Sequence, residues 1–199
     1  MFVKFNSSKP STPAPEGAHP ARLVRIVDMG TQTSFFQDKA IIARKISLAW
    51  ELYTERKMED GLPFMVSERY TMSLNEKSTL HKVLAGWLGK EFQDAANAGA
   101  FDFSKLLGRP CLVTVNHGTS KTGNTFAKVG GVTVLPKALA SVMEPQINPS
   151  VLFDLSGKFD QAVYDSLPQW QREEIAKSPE YAAITGKSTQ VDDHSDIPF

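Results

Sequence analysis

The chain has 199 residues, enough to bury one sizeable core, and its 41% hydrophobic and 22% charged residues are typical of a globular protein. Its 22 Lys and Arg residues balance 22 Asp and Glu residues, which argues against nucleic-acid binding through bulk charge alone. A single cysteine excludes an internal disulfide and a cysteine-cluster metal site, and no signal peptide or membrane span is evident. We therefore expect a cytoplasmic protein with one domain and appendages.

The first ordered element is predicted to follow a flexible N-terminal segment. Residues 1–18 end in a stretch rich in Ser, Pro and Ala, which neither buries apolar area nor keeps a regular register. The folded domain is predicted to span 19–137. Its first strand is predicted over Arg22–Asp28, which is rich in β-branched residues, and the polar stretch Thr31–Asp38 predicts a loop.

The second and third strands are predicted from an alternation of apolar and polar residues. Lys39–Thr54 is too long for one flat strand, so we expect a long, curved strand with one buried face. A charged turn separates it from a third strand over Phe64–Leu74, which shows the same alternation. Trp50 lies in phase with the apolar residues and is therefore expected in the core.

The hydrophobic period then changes from two to about 3.6, which predicts a helix over Leu80–Leu88 ending at Gly89. Trp87 belongs to the apolar stripe of this helix, so we expect it in the core as well. Two further strands are predicted over Arg109–Asn116 and Thr125–Val134, on either side of the polar loop His117–Asn124.

This order predicts a mainly β fold. Five strands with a helix between the third and fourth are typical of the OB fold (oligonucleotide/oligosaccharide-binding fold), a small Greek-key barrel. Other small five-stranded barrels stay open as alternatives. The long second strand favours the OB fold, because closing so small a barrel requires strands that bend.

Residues 138–186 are predicted to form a C-terminal extension with one short helix, from Leu167 to about Lys177, stopped by Ser178-Pro179. Its apolar side chains Trp170, Ile175 and Tyr181 are expected to pack on the barrel surface. A contact with DNA or with a second protomer is the alternative, so a homo-oligomer stays open.

An OB barrel binds single strands on the outer surface of strands two and three, rimmed by neighbouring loops. There, cations can meet phosphates and flat rings can stack on unpaired bases. Arg44 lies in the opposite phase but is included. The candidate DNA-binding residues are Phe35, Phe36, Lys39, Arg44, Lys45, Tyr53, Arg69, Thr71, Lys121, Phe126 and Lys128. The alternative is that these side chains form only the solvated face of a half-exposed sheet.

Catalytic interpretations are weaker. Gly118–Gly123 contains Gly, Lys and Thr but lacks the spacing of a phosphate-binding loop. The four histidines are scattered without the close pairing that a zinc site needs, and Cys111 has no neighbouring histidine in the sequence. We therefore expect no enzyme activity, no cofactor and no metal.

The last residues, predicted as a disordered tail over 187–199, are acidic and end in Ile-Pro-Phe. Asp196–Phe199 resembles the acidic tip of bacterial single-stranded DNA-binding proteins. The segments GAHPARLVRIVDMGTQ, ERYTMSLNEKSTL and LPQWQREEIAKSPEY resemble a single-stranded DNA-binding family found in tailed bacteriophages. The extension and the lack of a long Gly/Gln-rich linker depart from the bacterial proteins, so their tetramer is not implied.

The resemblance implies a non-enzymatic protein that coats exposed single strands during phage DNA replication or recombination in the bacterial host. It also implies that the tail recruits host or phage replication, recombination and repair proteins. The implied partner-binding residues are Asp192, Asp193, Asp196, Ile197, Pro198 and Phe199. Two alternatives stay open, an RNA-binding module and an adaptor in which the barrel binds no nucleic acid.

Overall fold

The computed structural model describes residues 12–37, 39–56, 61–99, 101–120, 122–141 and 143–186. This part of the chain is mainly antiparallel β-structure. The strands are β1 Gly17–Phe36, β2 Lys39–Arg56, β3 Pro63–Thr71, β4 Pro110–Thr119, β5 Thr125–Thr133 and β6 Val151–Phe153. The helices are α1 Thr79–Leu88, α2 Lys90–Asn97, α3 Lys137–Ala140, α4 Gln161–Ser166, α5 Gln169–Ile175 and α6 Pro179–Thr185, with a 3-10 helix over Phe103–Leu106. The predicted order of five strands with a helix after the third holds for β1–β5, but α2 and the 3-10 helix follow α1 before β4. The extension, where one short helix was predicted, contains β6 and the helices α4, α5 and α6.

The strands form one sheet in the order β3-β2-β1-β4-β5, and the short β6 pairs in parallel with β1. The remaining pairings are antiparallel. In the described residues the hydrogen-bonded path is open, with β3 at one end and β5 at the other, so the sheet is not closed into a barrel. The two end strands nevertheless lie next to each other.

The central strand β1 is far longer than the predicted strand Arg22–Asp28. Its first residues pair with β4, and its register with β2 shifts at Val24 and again at Met29. Such bulges bend a strand. The bends let β1 pair with β4 along its first residues and run in another direction where its later residues pair with β2. Gly30 follows the second bulge with a φ of 67°, a conformation that favours glycine.

The predicted loop over Thr31–Asp38 is wrong. Residues 31–36 continue β1 and pair with 39–44 of β2, forming a two-stranded ribbon beyond the rest of the sheet. Backbone hydrogen bonds hold this pairing and do not require apolar and polar residues to alternate. The polar sequence of this stretch therefore did not indicate a strand. Phe35 lies near the ribbon's end with 76% of its surface exposed.

The main core lies between one face of the sheet and the helices that follow β3. Trp50 is 0% exposed and Trp87 3%, which confirms both as core residues. The Trp87 Nε1–H donates to the Pro110 carbonyl at 2.9 Å, so its polar atom is satisfied. Ala14 also belongs to this core, and its carbonyl contacts His117 Nε2 at 2.8 Å. The packed structure therefore begins before residue 19, the predicted start of the domain.

A second apolar cluster lies on the other side of β1 and is built by the C-terminal extension. Val27 and Met29 of β1 pack there with Phe153, Tyr164 and Ile175. The expected packing of the extension is confirmed for Ile175, whereas Trp170 keeps 44% of its surface exposed. In the described part of the chain, no helix is long and apolar enough to cross a membrane.

Hydrogen bonds of polar side chains hold the extension against the outer side of β2. The Glu51 carboxylate accepts from the backbone N–H groups of Ile147 and Asn148 at 3.0 and 2.6 Å. The Gln171 Nε2–H donates to Ser47 Oγ at 3.1 Å. Ser47 is only 1% exposed as a result.

Ser178-Pro179, where the helix was predicted to stop, separates two helices: α5 ends before it, at Ile175, and α6 begins at Pro179. Ser178 Oγ accepts from the Tyr181 N–H at 3.2 Å, and a proline suits the first turn of a helix because it needs no N–H partner there. Glu180, in the same turn, accepts from the Thr31 N–H at 2.8 Å and from Thr31 Oγ1 at 2.6 Å. These contacts join α6 to the bulge of β1.

The Glu180 contact predicts an acid-sensitive attachment. Burial raises the pKa of this carboxyl, but hydrogen bonds from Thr31 and the nearby Arg44 charge outweigh it, so the pKa lies below its ordinary value of 4.5. A carboxylate with a depressed pKa stabilises the fold above its ordinary pKa, and this stabilisation disappears as the pH falls through the depressed value. The stability difference between wild type and Glu180→Gln in urea denaturation should therefore be present near neutral pH and shrink below pH 4.5. A difference that grows on acidification would contradict this.

Candidate nucleic-acid interface

The outer side of β2 is covered from Ser47 to Tyr53. The exposed outer side of the sheet is therefore formed by its two end strands, with Lys45 of β2 at its border. We call this the outer β3–β5 surface and define it by Ser67, Arg69 and Thr71 of β3 with Phe126 and Lys128 of β5, all exposed. A cavity of about 720 Å³ lies between β3, the start of α1 and β5. A second, of about 340 Å³, is lined by Ser67 and Phe126 together, which joins the two strands into one surface.

Two predicted cations lie together on this surface. Lys45 and Arg69 both line the 720 Å³ cavity and a neighbouring cavity of about 330 Å³, which is also lined by Gln32 and Ser34 of the ribbon. Lys45 Nζ donates to Thr71 Oγ1 at 2.8 Å, so the predicted Lys45 and Thr71 are neighbours across two strands. The cavities form a groove that runs from the ribbon to the start of α1.

Phe126 and Lys128 form the second part of the surface. Both side chains are exposed, as predicted, and Lys128 Nζ lies 5.2 Å from the centre of the Phe126 ring. Gly118 lies opposite Phe126 in the β4–β5 register. A Cβ atom at Gly118 would lie 2.6 Å from Lys128 Cε and 3.0 Å from Phe126 Cζ, so the glycine makes room for both side chains to lie across the sheet. Sequence reasoning missed Gly118 because it assigned this glycine to the predicted loop His117–Asn124, whereas β4 continues through Thr119.

Two of the predicted DNA-binding residues, Arg44 and Tyr53, make contacts within the fold instead. Arg44 forms an ion pair with Asp28, a buried carboxylate that also accepts from the Leu155 N–H at 3.2 Å. Tyr53 is only 4% exposed, and its ring lies 5.1 Å from the Arg22 guanidinium carbon. Burial raises the Tyr53 pKa to about 12. The prediction of an outward, stacking Tyr53 is therefore wrong.

The remaining candidate residues lie in the ribbon or outside the residues that the structure describes. Phe35 and Lys39 are exposed near the end of the ribbon. Phe36 ends β1, but its side chain lies outside the described residues, as do Lys121 and the six candidate partner-binding residues of the tail.

The structure places the groups considered above for metal binding and for thiol chemistry. The described residues contain no group of three or more His, Cys, Asp and Glu side chains that could hold a metal ion. Cys111 is 0% exposed, and burial raises the pKa of its thiol, which disfavours the reactive thiolate. What this surface offers is cations, hydroxyls and an exposed ring, which are binding groups. No protein-family model and no curated protein matches the chain.

Proposed function

We propose that this protein binds single-stranded DNA without sequence preference. The observation that carries the proposal is the outer β3–β5 surface, where Lys45 and Arg69 line a groove and the exposed ring of Phe126 lies beside Lys128. Phosphates need cations, and unpaired bases need flat apolar faces. Neither contact reads the edge of a base, so little sequence preference is expected.

The arrangement of strands supports an OB-type scaffold within this proposal. The order β3-β2-β1-β4-β5 brings β3 and β5 next to each other, with α1 following β3, as an OB barrel requires. The bulges of β1 supply the bending that a small barrel needs. In that fold, single strands bind on the outer surface of strands two and three, and Lys45 of β2 and Arg69 of β3 lie there.

The proposed biological role is to coat exposed strands during phage DNA replication or recombination. The acidic residues Asp192, Asp193 and Asp196 with the apolar Ile197 and Phe199 suit recruitment of replication or repair proteins through a basic and apolar pocket on the partner. This part of the proposal is supported by the residue types of the segment alone.

A titration of the purified protein against fluorescent oligo-dT, followed by anisotropy at two salt concentrations, tests the proposal. Binding should weaken with salt at a logarithmic slope of about −0.7 for each phosphate that a cation contacts. Oligo-rU of the same length and a blunt duplex are the controls. Equal or tighter binding of oligo-rU would favour the RNA-binding alternative, and no binding of oligo-dT in dilute buffer would contradict the proposal.

A further inference from the structure

The helix α5 of the C-terminal extension lies against the candidate groove. Arg69 Nη1 donates to the Glu174 carboxylate, at 2.6 Å to Oε1, and the Arg69 guanidinium carbon lies 5.7 Å from the centre of the Trp170 ring. Glu174 also lines the 330 Å³ cavity together with Lys45 and Arg69. The groove therefore has a wall that belongs to the extension.

This wall is held firmly in place. Ile175 is 0% exposed, Gln171 bonds to Ser47 of β2, and the Gln32 Nε2–H donates to the Glu174 carbonyl at 3.0 Å. Side chains on such a fixed helix keep their position without ordering by a ligand, so little entropy is lost when they bind one.

Trp170 is unlike the other two tryptophans of the chain. Trp50 and Trp87 are 0% and 3% exposed, whereas Trp170 is 44% exposed. Its ring has two faces, and Arg69 lies over one of them. An exposed indole beside a cation offers what a nucleotide needs, a stacking surface next to a phosphate-binding group.

We infer that α5 forms part of the strand-binding groove: Trp170 stacks on a base, and Arg69 exchanges the Glu174 carboxylate for a DNA phosphate. The inference rests on the proposed function and extends it to the extension. A carboxylate and a phosphate accept the same pair of hydrogen bonds from a guanidinium, so Glu174 occupies a phosphate position while DNA is absent. Lys45 lines the same cavity, together with Glu68, and offers an incoming phosphate a second cation beside Arg69.

The inference predicts opposite effects for two neighbours on one helix. Trp170→Ala should weaken oligo-dT binding by about fivefold or more, since a base–aromatic stack is lost. Trp170→Phe should keep most of the affinity. Glu174→Gln should tighten binding by up to about fivefold, the worth of one exposed ion pair that DNA no longer has to break.

Intrinsic fluorescence and anisotropy, measured on the same samples, test the inference. Oligo-dT should change the tryptophan emission of wild type, and Trp170→Phe should remove most of that change, because Trp50 and Trp87 are buried. Ile184→Ala on α6, 39% exposed in the wild type, is the control and should match wild type. Binding by anisotropy with unchanged emission and an unaltered affinity of Trp170→Ala would overturn the inference and leave the proposed function standing. Absence of any wild-type binding would overturn both.

Discussion

Replacing Gly30 with alanine is expected to detach the start of α6 from β1 and to lower the free energy of unfolding substantially. A Cβ atom at Gly30 would lie 2.4 Å from Ser178 Cβ and 2.5 Å from Ser178 Oγ. Ser178 is 0% exposed, so it has no free space into which to move. Urea denaturation gives the stability loss, and proteolysis of 143–186 reports the detachment.

Gly61→Ala is the matched control, because Gly61 has a φ of +68° against +67° for Gly30, and no atom of the described residues lies within 4 Å of the position that a Cβ would take there. Both variants carry the same backbone strain. Only Gly30→Ala adds the collision, so its loss should exceed that of Gly61→Ala by about 1–3 kcal/mol, the usual cost of overpacking. Equal losses of unfolding free energy in the two variants would show that the extension does not pack closely against the bulge of β1.

Replacing Phe126 with alanine is expected to weaken single-stranded DNA binding by about 1–3 kcal/mol, because a stacking face on the outer β3–β5 surface is lost. Phe126 is 40% exposed, so its truncation should cost less stability than that of a buried Phe and leave the protein folded. Phe126→Tyr preserves the ring and should preserve the affinity. Anisotropy with oligo-dT gives the affinities, and urea denaturation verifies the fold.

A companion substitution separates stacking from charge. Lys128→Gln keeps a polar side chain of similar length near the ring but removes its charge, so it should reduce the salt slope by about 0.7, the share of one phosphate contact. Phe126→Ala should leave that slope nearly unchanged. If both variants bound like wild type at both salt concentrations, β5 would play no part in binding.

The sequence predicts the elements whose side chains alternate against a core. The phase of β2 placed Trp50 inside, the stripe of α1 did the same for Trp87, and the alternation of β5 placed Phe126 and Lys128 outside. Each prediction depended on neighbours within a few residues of the chain. Local periodicity carries that information directly.

Contacts between distant segments escaped prediction. Ser47 and Glu51 are typical of a solvated strand face, yet both are buried because residues 146–171 supply their partners. The sequence does not show whether a polar side chain in a strand forms its hydrogen bonds with water or with a distant part of the chain. Tyr53 was misplaced because its ring is buried beside the Arg22 guanidinium of β1, a contact that alternation within β2 does not show.

The candidate site was predicted in part. Lys45, Arg69 and Thr71 do meet at one groove, because their strands pair as the alternation indicated. No local pattern indicates that Arg44 serves the buried Asp28 or that Glu174 faces Arg69, since both are pairings between separate segments. The packing of the extension decides which of the predicted cations remain available.

Amide hydrogen exchange with and without saturating oligo-dT tests the central claim most directly. β3 and β5 end the hydrogen-bonded path of the sheet in the described residues, so amides along their outer edges should exchange readily in the free protein. The account predicts that oligo-dT slows exchange in Pro63–Thr71, Thr125–Thr133 and α5. Slowed exchange confined to other segments, with these three unchanged while the oligonucleotide is bound, would contradict it.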